Sequence, residues 1–390
     1  MFHKLNFYRF FSGFFFFVIT QNVRGQAAAF LTIGKEDTLY SKVLGENRSF
    51  FISVPASYEQ DEFYLQKRYP VLILLDADTH FQYAAGMIRF LSDGANEKIP
   101  EMIVVAVRNT DRTRDMTSDL SEKSNRFLSF LERELLPHMD RNYRTLPYRL
   151  LAGHSLAGLF TLNCFLEQST FRAYIAMDPT LTWNNNFLSE KANALFEKDT
   201  SFHTRLYLTQ ANNPFEPGQS SGGRGKAFDA FKTSLSNNRS KRFFYRYAYY
   251  GEETHFSVPF RSLHDGLLYV FENYEFPYQT LLAQGSNGVS QHYRQLFDQW
   301  GVNLLPPGKV IHQAALFLLY NQKQADKAIE LLNLNGSYYP DSPAVYRSLG
   351  DAYRVKGDKS MAVQSYKKVL ALQPTDAKAA KAIQELTNQE

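Results

Sequence analysis

Continuously apolar runs alternate with amphipathic stretches over the first 270 or so positions of the chain. Residues 69–75 (Tyr-Pro-Val-Leu-Ile-Leu-Leu) and 102–107 (Met-Ile-Val-Val-Ala-Val) are the longest such runs, and 148–152, 174–177 and 206–208 are shorter ones. Unbroken apolar character marks strands buried on both faces, whereas a sheet with one wet face alternates. Residues 48–55 and the aromatic stretch 243–250 read as further strands. Helical spacing appears between them, as in 124–139, where Phe127, Leu128, Phe130, Leu131 and Leu135 share a face. Strands alternating with helices predict an α/β doubly wound fold, a mostly parallel sheet covered by helices. In such sheets chemistry sits at the carboxyl ends of the strands.

The strand pattern stops near Tyr278. A linker-like stretch, Gln284-Gly285-Ser286-Asn287-Gly288, leads into a helical tail. Ala328 and Ala362 are 34 positions apart, as are Pro340 and Pro374. Together with Leu349, Gly350, Ala352, Tyr353 and Tyr366 they resemble tetratricopeptide repeats, whose period is about 34 residues. Small residues at 350 and 362 would let paired helices pack closely. The expected organisation is a leader over 1–25, an α/β domain over 30–277, a linker and helix over 278–307, and repeats over 308–390. Two repeats are few for independent stability, so they are expected to dock on the α/β domain or to receive a protein partner.

The leader follows from Lys4 and Arg9, the apolar run 10–19, and the small residues of Gly25-Gln26-Ala27-Ala28-Ala29. That order reads as a secretory signal peptide, which predicts a periplasmic or secreted protein; an N-terminal membrane anchor is the alternative. The apolar run is short for a membrane span. Among 390 residues, 43 are basic and 39 acidic, giving a net charge of +4 without a dense basic block, so nucleic-acid binding is not expected. One cysteine, Cys164, rules out a disulfide within the chain and reads as a buried apolar residue. No Cys/His cluster has zinc spacing, and the sequence implies no metal or other cofactor.

Between the run 148–152 and the helical pattern 159–166 stands Gly153-His154-Ser155-Leu156-Ala157-Gly158. A serine on a sharp strand-to-helix turn is a nucleophile elbow, which requires small residues two before and two after it. Gly153 and Ala157 meet that requirement. Ser155 is therefore the expected nucleophile. The base should come late in the domain, since the order in this fold is serine, acid, histidine. His255, in a loop after strand 243–250, fits; His264 is a helical rival, and the side chain of His154 is expected to point away from the base. Two carboxylates compete for the acid: Glu216, after strand 206–208, and Asp178, at the end of strand 174–177. A Ser-His dyad is the third option. The oxyanion should be held by the N–H of Leu156, at a helix start, and by that of Ala77 in the Leu75-Asp76-Ala77-Asp78 loop. The Asp76 and Asp78 side chains read as a solvated strand end or a helix cap. Arg112 and Asp115 read as a loop ion pair or as substrate contacts.

With these residues placed, the chain resembles the putative-esterase family of α/β-hydrolases, which includes enterochelin esterases, S-formylglutathione hydrolases, feruloyl esterases and mycolyl acyltransferases. The likeness runs from about Ser41 to about Tyr274. It includes 43–48 as an opening strand, 69–78, the loop Asn109-Thr110-Asp111-Arg112-Thr113-Arg114-Asp115-Met116-Thr117, Asp178-Pro179-Thr180-Leu181-Thr182-Trp183, and His255-Phe256-Ser257-Val258-Pro259. The resemblance implies hydrolysis of a carboxylic ester or thioester through an acyl-enzyme. The substrate would be a small-molecule, carbohydrate or siderophore ester. A non-catalytic ligand-binding scaffold and an acyltransferase are the alternatives.

Overall fold

The computed structural model describes residues 32–59, 67–93, 97–117, 125–197, 203–212, 221–240 and 242–388. The expected leader and Glu216 lie outside the described residues. Eight strands form one sheet: β1 (Lys35–Ser41), β2 (Glu46–Ser53), β3 (Tyr69–Leu74), β4 (Ile103–Val107), β5 (Thr145–His154), β6 (Ala173–Met177), β7 (Thr204–Ala211) and β8 (Phe243–Tyr250). Their order is β1-β2-β4-β3-β5-β6-β7-β8, with β3 to β8 parallel and β1 and β2 antiparallel at one side. This is an α/β-hydrolase-like fold followed by a helical C-terminal region.

All six residues of β3 are buried, as its unbroken apolar run requires. Val71 and Ile73 face one core layer, and Leu72 and Leu74 the other. The first layer packs beneath helices Leu156–Leu166, Phe187–Phe196 and Ser221–Ser236. The second packs beneath Ala77–Leu91 and Val258–Val270. The sheet thus has helices on both faces and its strand ends free for a site.

Three expectations change. Residues 43–48 are not an opening strand: Gly45 turns the chain at φ 75°, and β2 begins at Glu46. The first strand is β1, whose largely exposed Lys-Glu-Asp-Thr-Leu-Tyr-Ser sequence carries no apolar run. The helix expected over 124–139 is a chain of Arg126–Phe130, a wider π-turn Leu131–Leu135, and Leu136–Asn142. Pro137 lacks the N–H that a regular turn would use, and the helix widens just before it. The linker-like stretch lies inside the helix Tyr278–Trp300, which Gly285 interrupts at φ 60°, ψ −146°. Its Gly and Ser residues mark a kink within a helix.

The tail continues as helices Gly308–Tyr320, Ala325–Tyr338, Pro343–Lys356, Lys359–Leu372 and Ala377–Thr387. It shares the second core layer with the sheet. Trp300 lies against Tyr148, Phe271 and Tyr274, and Ile311, Leu332 and Leu349 extend the same cluster. Within the tail, a Cβ added at Gly350 would stand 2.5 Å from the Tyr366 ring. Gly350→Val should therefore force the Pro343–Lys356 and Lys359–Leu372 helices apart and cost about 1–3 kcal/mol, read as a lower urea midpoint. An unchanged midpoint would mean that Tyr366 can swing clear. Among the described residues no helix is long and apolar enough to cross a membrane.

Candidate active site

β5 delivers the chain to Ser155, whose backbone sits at φ 61°, ψ −118°, and the helix Leu156–Leu166 begins at the next residue. A non-glycine residue held there costs about 1–3 kcal/mol, which the surrounding packing must offset. A Cβ at Gly153 would come 2.3 Å from the carbonyl oxygen of Ala157, so the turn closes only over a glycine. Ala157 is itself fully buried and fits. The elbow is present as the sequence implied.

Sheet register brings a carboxylate beside the serine. His154 pairs with Met177 across β5 and β6, and the Ser155 N–H donates to the Met177 carbonyl at 3.1 Å. One residue further, Asp178 leaves β6 at φ 44° beside the serine. His255 descends from the loop between β8 and the helix Val258–Val270. Its Nε2 is 3.0 Å from Ser155 Oγ and its Nδ1 is 2.6 Å from Asp178 Oδ2. A carboxylate on Nδ1 fixes the proton there and leaves Nε2 free to accept from the serine hydroxyl.

Asp178 is fully buried. Its Oδ1 accepts the Ala211 N–H at 3.0 Å and pairs with Arg224. Its own N–H donates to Thr209 Oγ1, which is 2.7 Å from Ser262 Oγ. Burial pushes the carboxyl pKa up, but the bonds to His255, Arg224 and Ala211 outweigh it and hold the pKa below the usual carboxylate range.

Residues 41–252 match the family described as Putative esterase. The chain belongs to that family. It is 31% identical over 195 residues to the ferri-bacillibactin esterase BesA of Bacillus subtilis (strain 168), an alignment covering 43% of this chain and 65% of the relative. The chain thus spans just under two thirds of that relative's length. The fold is similar to an IroE-like serine hydrolase from Shewanella oneidensis, with a TM-score of 0.67 and 28% identity, covering 78% of this chain and 99% of the other. It is also similar to an uncharacterised protein from Capnocytophaga ochracea, with a TM-score of 0.60 and 16% identity, covering 91% and 99%. That second likeness is one of fold, and its extent requires part of the helical tail as well as the sheet.

Both proposed oxyanion donors in this member of the Putative esterase family stand at helix starts. Leu156 opens the helix behind the elbow, and Ala77 opens the helix Ala77–Leu91 after β3. Asp76, at φ 57°, turns the chain into the second of these. The Asp76 side chain is buried rather than solvated; Asp76 does stand at the cap position of the helix, but its side chain makes no cap bond there. It receives two hydrogen bonds from Arg112, at 2.7 and 2.9 Å, and one from Asn109 at 2.7 Å. Burial raises its pKa, but Arg112 and Asn109 more than offset that, and the carboxyl lies below its usual range. Arg112 also reaches the His154 carbonyl at 3.2 Å, so one guanidinium ties the loop before Ala77 to the strand before Ser155. Arg112 and Asp115 do not pair with each other: Asp115 is bound by the buried Arg48 at 2.6 Å and by Arg114. Asp78 takes Arg108 at 2.9 Å.

His154 departs from expectation. Its ring lies 4.5 Å from that of His255, centroid to centroid, and 5.8 Å from that of His80. The loop carrying His255 folds back over the ends of the strands and meets the strand residue that precedes the elbow. Burial, with the two neighbouring imidazoles, pushes the His154 pKa down to about 3, so it packs there uncharged. His264 bonds Asp265 at 2.7 Å within its helix and does not join the site. Glu216 lies outside the described residues. The sequence reading missed Arg224, Thr209 and Thr180, whose hydroxyl is 3.3 Å from Ser155 Oγ. Thr180 and Thr209 could have been sought as polar residues at the ends of β6 and β7; Arg224 gave no such signal.

Proposed function

We propose that the protein is a carboxylic-ester hydrolase in which Ser155, His255 and Asp178 form the catalytic triad. The observation that carries this reading is the continuous bond path from Ser155 Oγ through His255 to Asp178 at 3.0 and 2.6 Å. Ser155 Oγ adds to the ester carbonyl carbon as its proton passes to His255 Nε2. The Leu156 and Ala77 N–H groups hold the resulting oxyanion. The imidazolium then protonates the departing alkoxide, leaving an acyl-serine. Water repeats the sequence, giving its proton to His255 and its oxygen to the acyl carbon, and the serine is restored.

The substrate class is read from kinship: the relative BesA is named a ferri-bacillibactin esterase, and a siderophore ester is the substrate proposed here. The basic and apolar N-terminal segment supports secretion into the periplasm or beyond. A tetratricopeptide-like reading of the C-terminal helices is supported by Pro343 and Ala377, which open helices 34 positions apart.

A fluorophosphonate probe tests the chemistry. It should add one phosphonyl group to the protein, on the peptide containing Ser155. An unlabelled protein, or one labelled elsewhere, would overturn the serine mechanism.

Phe256 follows the histidine, its ring 5.3 Å from that of His255, and it is 89% exposed. An aromatic ring left this exposed beside His255 offers a face to the proposed substrate. Phe256→Ala should raise KM about tenfold with kcat nearly unchanged, corresponding to about 1.4 kcal/mol of binding lost equally from ground and transition states. A loss confined to kcat would contradict this.

A further inference from the structure

We propose that Arg224 is a positioning residue of this site, acting through Asp178: its guanidinium, on the carboxylate oxygen away from His255, offsets the pull of that carboxylate on the imidazole proton. The inference rests on the triad reading above. Asp178 is 0% exposed and its two oxygens have separate duties. Oδ2 faces His255, while Oδ1 takes the Ala211 N–H and the Arg224 guanidinium. Arg224 lies on the helix Ser221–Ser236, with its guanidinium over the Phe228 ring at 5.7 Å and its side chain 11% exposed.

A buried carboxylate behind an imidazole favours the imidazolium. A guanidinium on the far oxygen opposes it. With Arg224 the resting trio is neutral, and protonating His255 makes it +1; without Arg224 the trio starts at −1 and protonation neutralises it.

Among the described residues, the other groups around the pair do not substitute for this charge. His154 stays neutral against His255, as its burial requires. The Tyr247 hydroxyl, which senses Asp178, is pushed up to about 12 chiefly by burial. Arg112 is committed to Asp76. On the histidine's own loop, Glu253 bonds Ser257, and Glu252 pairs with Arg261.

The test is the His255 titration, followed by histidine ring NMR in the full-length protein, alongside the acid limb of kcat/KM. Arg224→Gln should raise both by about one pH unit, while Arg224→Lys should keep most of the original value. A second variant removes the risk that an unpaired buried carboxylate disturbs the fold. In Asp178→Asn, with the carboxylate charge gone, Arg224 should depress the His255 titration, and adding Arg224→Gln should bring it back up. A titration that stays put in both pairs would overturn the proposal, and lower activity with an unmoved acid limb would assign Arg224 a purely structural part. The NMR readout needs no turnover, so failure of the esterase reading, seen as undiminished hydrolysis by Ser155→Ala, would be registered separately.

Discussion

Ser155→Ala should lower kcat by about 10⁵–10⁶-fold while leaving KM and the melting temperature close to wild type. The nucleophile and its base act as a unit, so loss of the hydroxyl removes the whole acyl-enzyme route. What survives is the contribution of the oxyanion donors and of binding, about 10³–10⁴ over water. The fold should tolerate the change. Alanine is smaller than serine, the elbow is held by Gly153 and by the Ser155 N–H bond to Met177, and neither depends on Oγ. Turnover of a short p-nitrophenyl ester, with burst-phase analysis, is the measurement. A variant retaining a tenth of the wild-type rate would remove Ser155 from the mechanism.

Asp178→Asn should cost about 10⁴-fold in kcat, the loss expected when the histidine is held in the wrong tautomer. The local bonding sets the outcome. Two donors, the Ala211 N–H and Arg224, converge on the Oδ1 side of this carboxylate. An asparagine would turn its carbonyl toward them and present its NH₂ to His255 Nδ1. That nitrogen would then have to accept, its proton would sit on Nε2, and Nε2 could no longer take the serine proton. Glu216→Gln should leave the rate unchanged, and the contrast decides between the two carboxylates weighed from sequence. The depressed pKa of Asp178 adds a stability signature. Its contribution is fully present above the unfolded carboxyl pKa and is lost as pH falls through the lower folded value, so the stability difference between wild type and Asp178→Asn should shrink in acid. Urea unfolding at several pH values reads that difference.

The buried strands were legible because burial on both faces leaves an unbroken apolar record, as in β3 and β4. β1 was not, because an edge strand largely open to solvent carries no such record. The elbow was legible because its steric demands fall on adjacent positions. The acid was narrowed to two but not chosen, since what brings Asp178 beside Ser155 is the pairing of His154 with Met177, a register between strands that local sequence does not encode. His154 was misjudged for a related reason: alternation along a strand says nothing about a loop that folds over its end. Arg224 is 46 positions from Asp178 in sequence and sits on a helix whose pattern marks it as one more surface cation.

The core shared by sheet and tail has a consequence for the order in which the chain is made. The family match ends at residue 252, yet the apolar layer that includes Leu72 and Leu74 closes only with Trp300, Ile311, Leu332 and Leu349. A chain growing from its N-terminus has made Ser155, Asp178 and His255, and then Phe271 and Tyr274, before it reaches Trp300, whose ring covers the last two. All chemical groups of the site therefore exist before the molecule can bury its own apolar face. Until the last helices arrive, that face is an adhesive surface on an otherwise finished domain. A shortened version cut just after Tyr274 would hold every group of the proposed site yet keep that surface permanently, and would be expected to associate with itself.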